Sequence, residues 1–286
     1  MKSIINFSIL SLTILITSCM NSNDLTKKVA SPTPSSSSSP SNQNNLTKPV
    51  EADLAIKTEE NISYYKDKMA VKGFLAYPEN IQKNQKYPAI ILIHEFWGLN
   101  DYIKENAKKF AKKGYVVLAS DLYEGKFTTE QAKAREYASS VRNNTEEAMK
   151  NLKNGIDFLK TREDVNSEKL ASVGWCFGGG WSYQLAKNNV GVKASVMYYG
   201  NFNVEDDLKE MKAHIIGHFG EKDTSIKVDD VKQFQASLKT LSGDHEIYIY
   251  PNSGHGFANE TNAPAYVKES ADSAWERTME FLKKNL

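Results

Sequence analysis

From about residue 70 to the C-terminus, short apolar runs alternate with amphipathic stretches of helical length. Residues 71–77 and 89–93 read as strands, the second apolar throughout, as suits a strand covered on both faces. Residues 102–113 show helical apolar spacing, and Gly114 stops that helix ahead of a strand at 115–119. Helical patterns follow at about 129–141 and 145–160, then a strand at 170–175 that runs straight into a helix at 177–187. Further strands are expected at 194–199, 214–219 and 246–250, with a helix at 228–241 and a last one at about 265–284. Strands separated by helix-length segments predict an α/β fold, a mostly parallel central sheet with helices on both faces. Ligands of such sheets sit outside the carboxyl ends of the strands.

The first 50 residues break the pattern. Lys2 precedes an apolar run over 4–16 and then Thr17-Ser18-Cys19, the layout of a secretory signal. The run is too short to span a hydrocarbon core, which takes about 20 residues. Cysteine at that boundary resembles a bacterial lipobox, which implies removal of 1–18 and a lipid on Cys19. Residues 31–41 are only Ser, Pro and Thr, and four of the eight prolines lie before residue 50. Segment 19–50 therefore reads as a solvated Ser/Pro/Asn-rich tether with a reach of roughly 35 Å. The expected organisation is signal 1–18, tether 19–50 and a folded domain over 51–286. The domain is expected outside the cytoplasm, lipid-anchored to a bacterial membrane on its periplasmic or cell-surface side.

Charge removes other classes. The 36 basic and 35 acidic side chains leave a net charge of +1, which gives no footprint for a nucleic acid. Contact with a membrane is expected only through the lipid on Cys19. The 286 residues hold two cysteines, Cys19 and Cys176, so no disulfide is expected inside the domain.

Cys176 sits in Gly174-Trp175-Cys176-Phe177-Gly178-Gly179, between a strand and a helix. A nucleophile on so sharp a turn needs small residues two before and two after it, because backbone elements meet there. The helix N-terminus favours a thiolate, and the Phe177 N–H points where an oxyanion would form. A small buried cysteine in a packing turn is the bland alternative. The glycines match neither a dinucleotide fingerprint nor a phosphate loop. In hydrolases with this turn the acid follows the nucleophile and the histidine comes last. Asp223, in Gly220-Glu221-Lys222-Asp223, and His255, in Gly254-His255-Gly256-Phe257, both follow strands in that order. Each alone reads as a turn former or a surface residue; together they read as a triad. His214 and His218 share a strand face, but no further ligand accompanies them, and no metal is expected.

With these motifs in place, the chain resembles the dienelactone hydrolase family, Cys-dependent members of the α/β-hydrolase superfamily, over nearly all of 60–286, which implies the α/β-hydrolase fold. The likeness also rests on Ile93-His94-Glu95-Phe96-Trp97-Gly98-Leu99-Asn100 and Ser120-Asp121-Leu122-Tyr123. It implies Cys176 as nucleophile, His255 as base and later acid, and Asp223 as the group that orients His255. It further implies Glu95 as a carboxylate beside the thiol, and an oxyanion hole from the Phe96 and Phe177 N–H groups. The bland alternative for Glu95 is a cap on the next helix. Trp97, Tyr123 and Phe257 are expected to line a substrate pocket, with Phe96, Trp175 and Trp181 nearby or in the core. One departure stands out: Asn259 occupies the position where lactone-cleaving relatives carry a carboxylate-binding arginine. A second family arginine lies in the helical insertion before the nucleophile strand, a region that here contains Arg135.

The expected chemistry needs no cofactor: hydrolysis of an activated ester, an enol lactone or a thioester through a thioacyl-enzyme. The partner is a small-molecule ester or lactone. Two other functions compete. One is a tethered binding protein on a hydrolase scaffold; the other is a redox sensor read out at Cys176, for which no resolving cysteine is present.

Overall fold

The structure, a computed structural model, describes residues 52–79 and 85–286. The signal segment, the tether and Cys19 lie outside the described residues. One sheet holds β1 (Ile56–Ile62), β2 (Gly73–Pro78), β3 (Tyr87–Ile93), β4 (Val116–Ser120), β5 (Val165–Trp175), β6 (Ala194–Tyr198), β7 (His214–Gly220) and β8 (His245–Tyr250). Their spatial order is β1-β2-β4-β3-β5-β6-β7-β8. β2 runs antiparallel to both β1 and β4, and the remaining neighbours are parallel. The helices are α1 (Asp101–Lys112), α2 (Gln131–Arg142), α3 (Thr145–Thr161), α4 (Phe177–Lys187), α5 (Val228–Leu238) and α6 (Lys268–Asn285).

Period-two alternation assigns each strand residue to one of two apolar layers. Ile90 and Leu92 of β3 pack with Ile103, Phe110, Ala274 and Phe281 from α1 and α6. Ile91 and Ile93 face the opposite layer, with Leu152, Ile156, Tyr183 and Phe234 from α3, α4 and α5. A strand covered on both faces has no polar side to show, which is why 89–93 is apolar without interruption.

Several boundaries differ from the sequence expectation. β1 was not expected: most of its residues are exposed and several are charged, and it forms because β2 has an open edge for it to pair with. The next strand starts at Gly73 rather than 71, and β5 starts at Val165 rather than 170 because Tyr87 of β3 pairs with Val165. Tyr199, expected in a strand, lies just beyond β6 with φ +38°.

The ends of β3, β5, β7 and β8 fall on one edge of the sheet. Glu95, Cys176, Asp223 and His255 follow those ends, so the fold gathers them from across 160 positions of chain.

Candidate active site

Cys176 is the N-cap of α4 and holds φ +52°, ψ −115°, a conformation that L residues rarely adopt. Its N–H donates to the Tyr198 carbonyl over 2.9 Å, which ties the turn to β6. The flanking glycines are demanded by space. A Cβ on Gly174 would lie 2.1 Å from the Gly178 oxygen, and one on Gly178 would lie 2.2 Å from the Ile93 oxygen. The strained cysteine is held by this close backbone packing, and its residue is partly open to solvent.

His255 Nδ1 donates to Asp223 Oδ2 over 2.8 Å, and the Asp223 side chain has no exposed surface. The other oxygen, Oδ1, accepts from the Ser225 and Ile226 N–H groups at 2.7 and 3.0 Å. Asp223 is thus both turn former and histidine partner. Burial opposes the charge on Asp223, but His255 and the two amides outweigh it and hold the carboxyl below its usual range. Burial likewise opposes protonation of His255. The hydrogen bond to Asp223 and then the contact with Cys176 overcome it, and the imidazole rises to about 10. Asp223 thus bonds His255 directly, and Cys176 acts on His255 electrostatically.

Glu95 is buried and receives Asn259 Nδ2 on Oε2 at 2.7 Å. Asn259 Oδ1 in turn accepts from the Thr261 N–H and hydroxyl at 2.9 and 2.6 Å, which fixes the amide orientation. Burial pushes Glu95 up to about 7, against the pull of Asn259, His255 and Tyr199. Glu95 does not cap α1: that helix is capped by Asn100, whose side chain accepts from the Ile103 N–H.

His94 is a residue whose role only the structure reveals. It is fully buried, its Nε2 accepts from the Leu122 N–H at 3.2 Å, and its Nδ1 meets the Glu95 carbonyl at 2.6 Å. With one nitrogen accepting and the other donating, the ring is neutral, and burial keeps it so. It pins the Glu95 backbone to the loop after β4. Asp121 shapes that loop by accepting from the Tyr123 and Gly125 N–H groups at 2.8 and 2.6 Å.

The model of the Dienelactone hydrolase family matches residues 71–286. The chain belongs to the dienelactone hydrolase family. A Saccharolobus solfataricus protein described as a "putative carboxymethylenebutenolidase" is 31% identical over 266 residues, covering 79% of this chain and 98% of that protein. One of the same description from Yersinia pestis is 29% identical, covering 73% and 82%. Among solved structures, a dienelactone hydrolase-like promiscuous phosphotriesterase from metagenomic libraries aligns with TM-score 0.73 at 20% identity, covering 81% of this chain and 99% of that one. A Klebsiella pneumoniae protein titled a "putative dienelactone hydrolase" aligns with TM-score 0.69 at 24% identity, covering 80% and 99%. These structural likenesses show the α/β-hydrolase fold. Membership makes the protein a hydrolase.

The remaining expected site residues divide. Neither the Phe96 nor the Phe177 N–H is tied up in a turn, cap or loop bond among the described residues. Trp97 is half-buried with its ring 4.2 Å from that of Phe96. Tyr123 is buried, donates to the Phe96 carbonyl at 3.2 Å and forms part of a 180 Å³ cavity with Tyr137 and Val141. Phe257 is fully buried, its ring packed against those of Tyr199 and Tyr250, so it offers no exposed surface. Trp175 and Trp181 are core residues. Among the described residues no cluster of His, Cys, Asp and Glu has the arrangement of a metal site. His218 instead bonds Tyr250 and Thr278.

Arg135 and Arg142 are both exposed on α2, and Arg142, at the end of that helix, lies 5.5 Å from the Phe177 ring centroid. Its charge is felt at Tyr123, where it opposes the effect of burial. Helical spacing alone places the two arginines seven residues apart on nearly the same face; only the packing of α2 selects the one beside the nucleophile turn.

Proposed function

We propose that this protein hydrolyses activated esters or lactones, enol lactones and thioesters included, with Cys176, His255 and Asp223 as a thiol triad. The observation that carries the reading is the 2.8 Å bond from His255 to the buried Asp223, on the same sheet edge as Cys176 at its strained turn. The Cys176 thiolate attacks the carbonyl carbon, and the oxyanion is received by the Phe96 and Phe177 N–H groups. The carbon–oxygen bond to the leaving group breaks, and His255 gives that oxygen its proton. Water then loses a proton to His255, adds to the thioester and releases the acid and the thiolate. A thiolate departs readily, so a good leaving group is required to prevent simple reversal. This argues for activated esters, lactones and thioesters over amides. Asp223 holds the His255 tautomer, and Glu95 is a buried proton store beside the pair. No step calls for a cofactor.

The test is turnover of short-chain p-nitrophenyl esters by reduced protein, beside Cys176→Ala, His255→Ala and Asp223→Asn. Saturable hydrolysis is expected, abolished by the first two substitutions and reduced about 10³–10⁴-fold by the third. Absence of turnover, with Cys176 alkylating no faster than a free thiol at pH 7, would return the protein to a binding or redox-sensing role.

We propose in addition that Cys19 is lipid-modified and anchors the hydrolase outside the cytoplasm. The support is the lipobox-like Ile16-Thr17-Ser18-Cys19 and the polar tether that follows. Metabolic labelling with a fatty-acid analogue should mark the wild-type chain; labelling that persists in Cys19→Ala would refute this.

A further inference from the structure

Tyr199 stands just past β6 at φ +38°, fully buried, with its ring 5.1 Å from that of His255 and 5.4 Å from that of Phe257. Its hydroxyl is shielded from solvent and has no hydrogen-bond partner among the described residues. An unpaired buried hydroxyl destabilises a fold, and a phenylalanine of nearly the same shape would remove the penalty. Stability does not account for that oxygen. Function can, because groups that lower stability concentrate where activity needs them.

The neighbours point to its partner. The Tyr199 hydroxyl lies within electrostatic reach of Glu95 and Cys176, and it is close enough to Glu95 to favour the charged carboxylate. Asn259 occupies Glu95 Oε2, and Thr261 holds Asn259 in that orientation. No Lys or Arg forms a salt bridge with Glu95 among the described residues, so its near donors are the neutral Asn259 and Tyr199. The other groups that face it are His255, which favours the charge, Glu260, which opposes it, and the α1 phenol of Tyr102.

Resting on the thiol-hydrolase reading above, we infer that Tyr199 is a positioning residue: its hydroxyl turns onto the Glu95 carboxylate when that group is charged, and holds it beside the Cys176–His255 pair. In the resting fold the hydroxyl lies beside Glu95 without a fully formed hydrogen bond. The donor engages only with the charged state, so it biases the pair without locking Glu95 as an anion, as a cation would.

The experiment follows Tyr199→Phe, Glu95→Gln and the double variant in the full chain, by three readouts. One is the rate of iodoacetamide alkylation at Cys176 against pH, read by mass spectrometry of its peptide. The others are kcat/KM for p-nitrophenyl acetate against pH and the melting temperature. Tyr199→Phe is expected to move the near-neutral inflection up by about one pH unit, the loss of one hydrogen bond to a charged group. Its melting temperature should stay the same or rise. Glu95→Gln should abolish the inflection, and adding Tyr199→Phe should change the profile no further. An unmoved inflection, an equal shift in the Glu95→Gln background, or a lower melting temperature would each overturn the assignment. If the wild-type protein fails to turn over the ester, the hydrolase reading fails, while the alkylation profiles still decide the link between Tyr199 and Glu95.

Discussion

Asn259 donates to Glu95 across 2.7 Å, so a buried carboxylate at the heart of the site is held by a neutral amide. An amide satisfies an acceptor without compensating its charge, and burial therefore leaves Glu95 at about 7, poised to gain or lose a proton near neutrality. A cation at that position would remove the poise.

Asn259→Arg is expected to lower the Glu95 pKa by about one to three units. The inflection in the pH profile of Cys176 alkylation should move to clearly acidic pH. A profile that keeps its near-neutral inflection would show that Glu95 does not govern it.

Arg142 offers a cation in a different place, over the Phe177 ring and without a carboxylate partner among the described residues. An ester bearing a terminal carboxylate should find it. Arg142→Gln is expected to raise KM for such an ester about tenfold, or about 1.4 kcal/mol, and to leave a neutral ester within about twofold. Equal effects on both substrates would reject a role in charge recognition.

The nucleophile turn predicts an intolerance. With Ile93 backbone 2.2 Å from a Cβ at Gly178, Gly178→Ala forces backbone to move. A loss of at least about 3 kcal/mol is expected, which lowers the melting temperature by roughly 6–12 °C at this size. A melting curve that superimposes on the wild type would contradict the packing described.

His218 predicts a pH dependence of stability. It is buried between the Tyr250 and Thr278 hydroxyls at 2.9 and 3.0 Å, and burial, aided by Arg277, pushes it down to about 3. The unfolded chain takes up this proton near 6.5 while the fold refuses it until about 3. Its contribution to stability is therefore complete above 6.5 and is lost as pH falls towards 3. His255 has the opposite sign: its raised pKa gives a contribution complete below 6.5 and lost as pH rises through about 10. Between pH 6.5 and 5 the melting temperature should fall more steeply in wild type than in His218→Gln. Parallel slopes would show that His218 is not the buried neutral group assigned here.

Sequence alone was sufficient for the alternation of strands and helices, for the glycine-flanked Cys176, and for the order of Cys176, Asp223 and His255. Each of these is local. Side-chain period, turn sterics and chain order leave marks in consecutive residues, and a strand buried on both faces cannot hide among polar positions. The relationships between distant residues leave no such mark. Exposed β1 was illegible because an edge strand forms from its neighbour's open hydrogen bonds rather than from its own pattern. His94 pins Leu122 and Asn259 reaches Glu95 across 164 positions. Packing, not spacing, set Arg142 beside the Phe177 ring and buried Phe257 against Tyr199 and Tyr250. The poise of Glu95 and the unpaired hydroxyl of Tyr199 exist only after folding. Both depend on which groups burial strips of water and which partners the sheet edge then brings within reach.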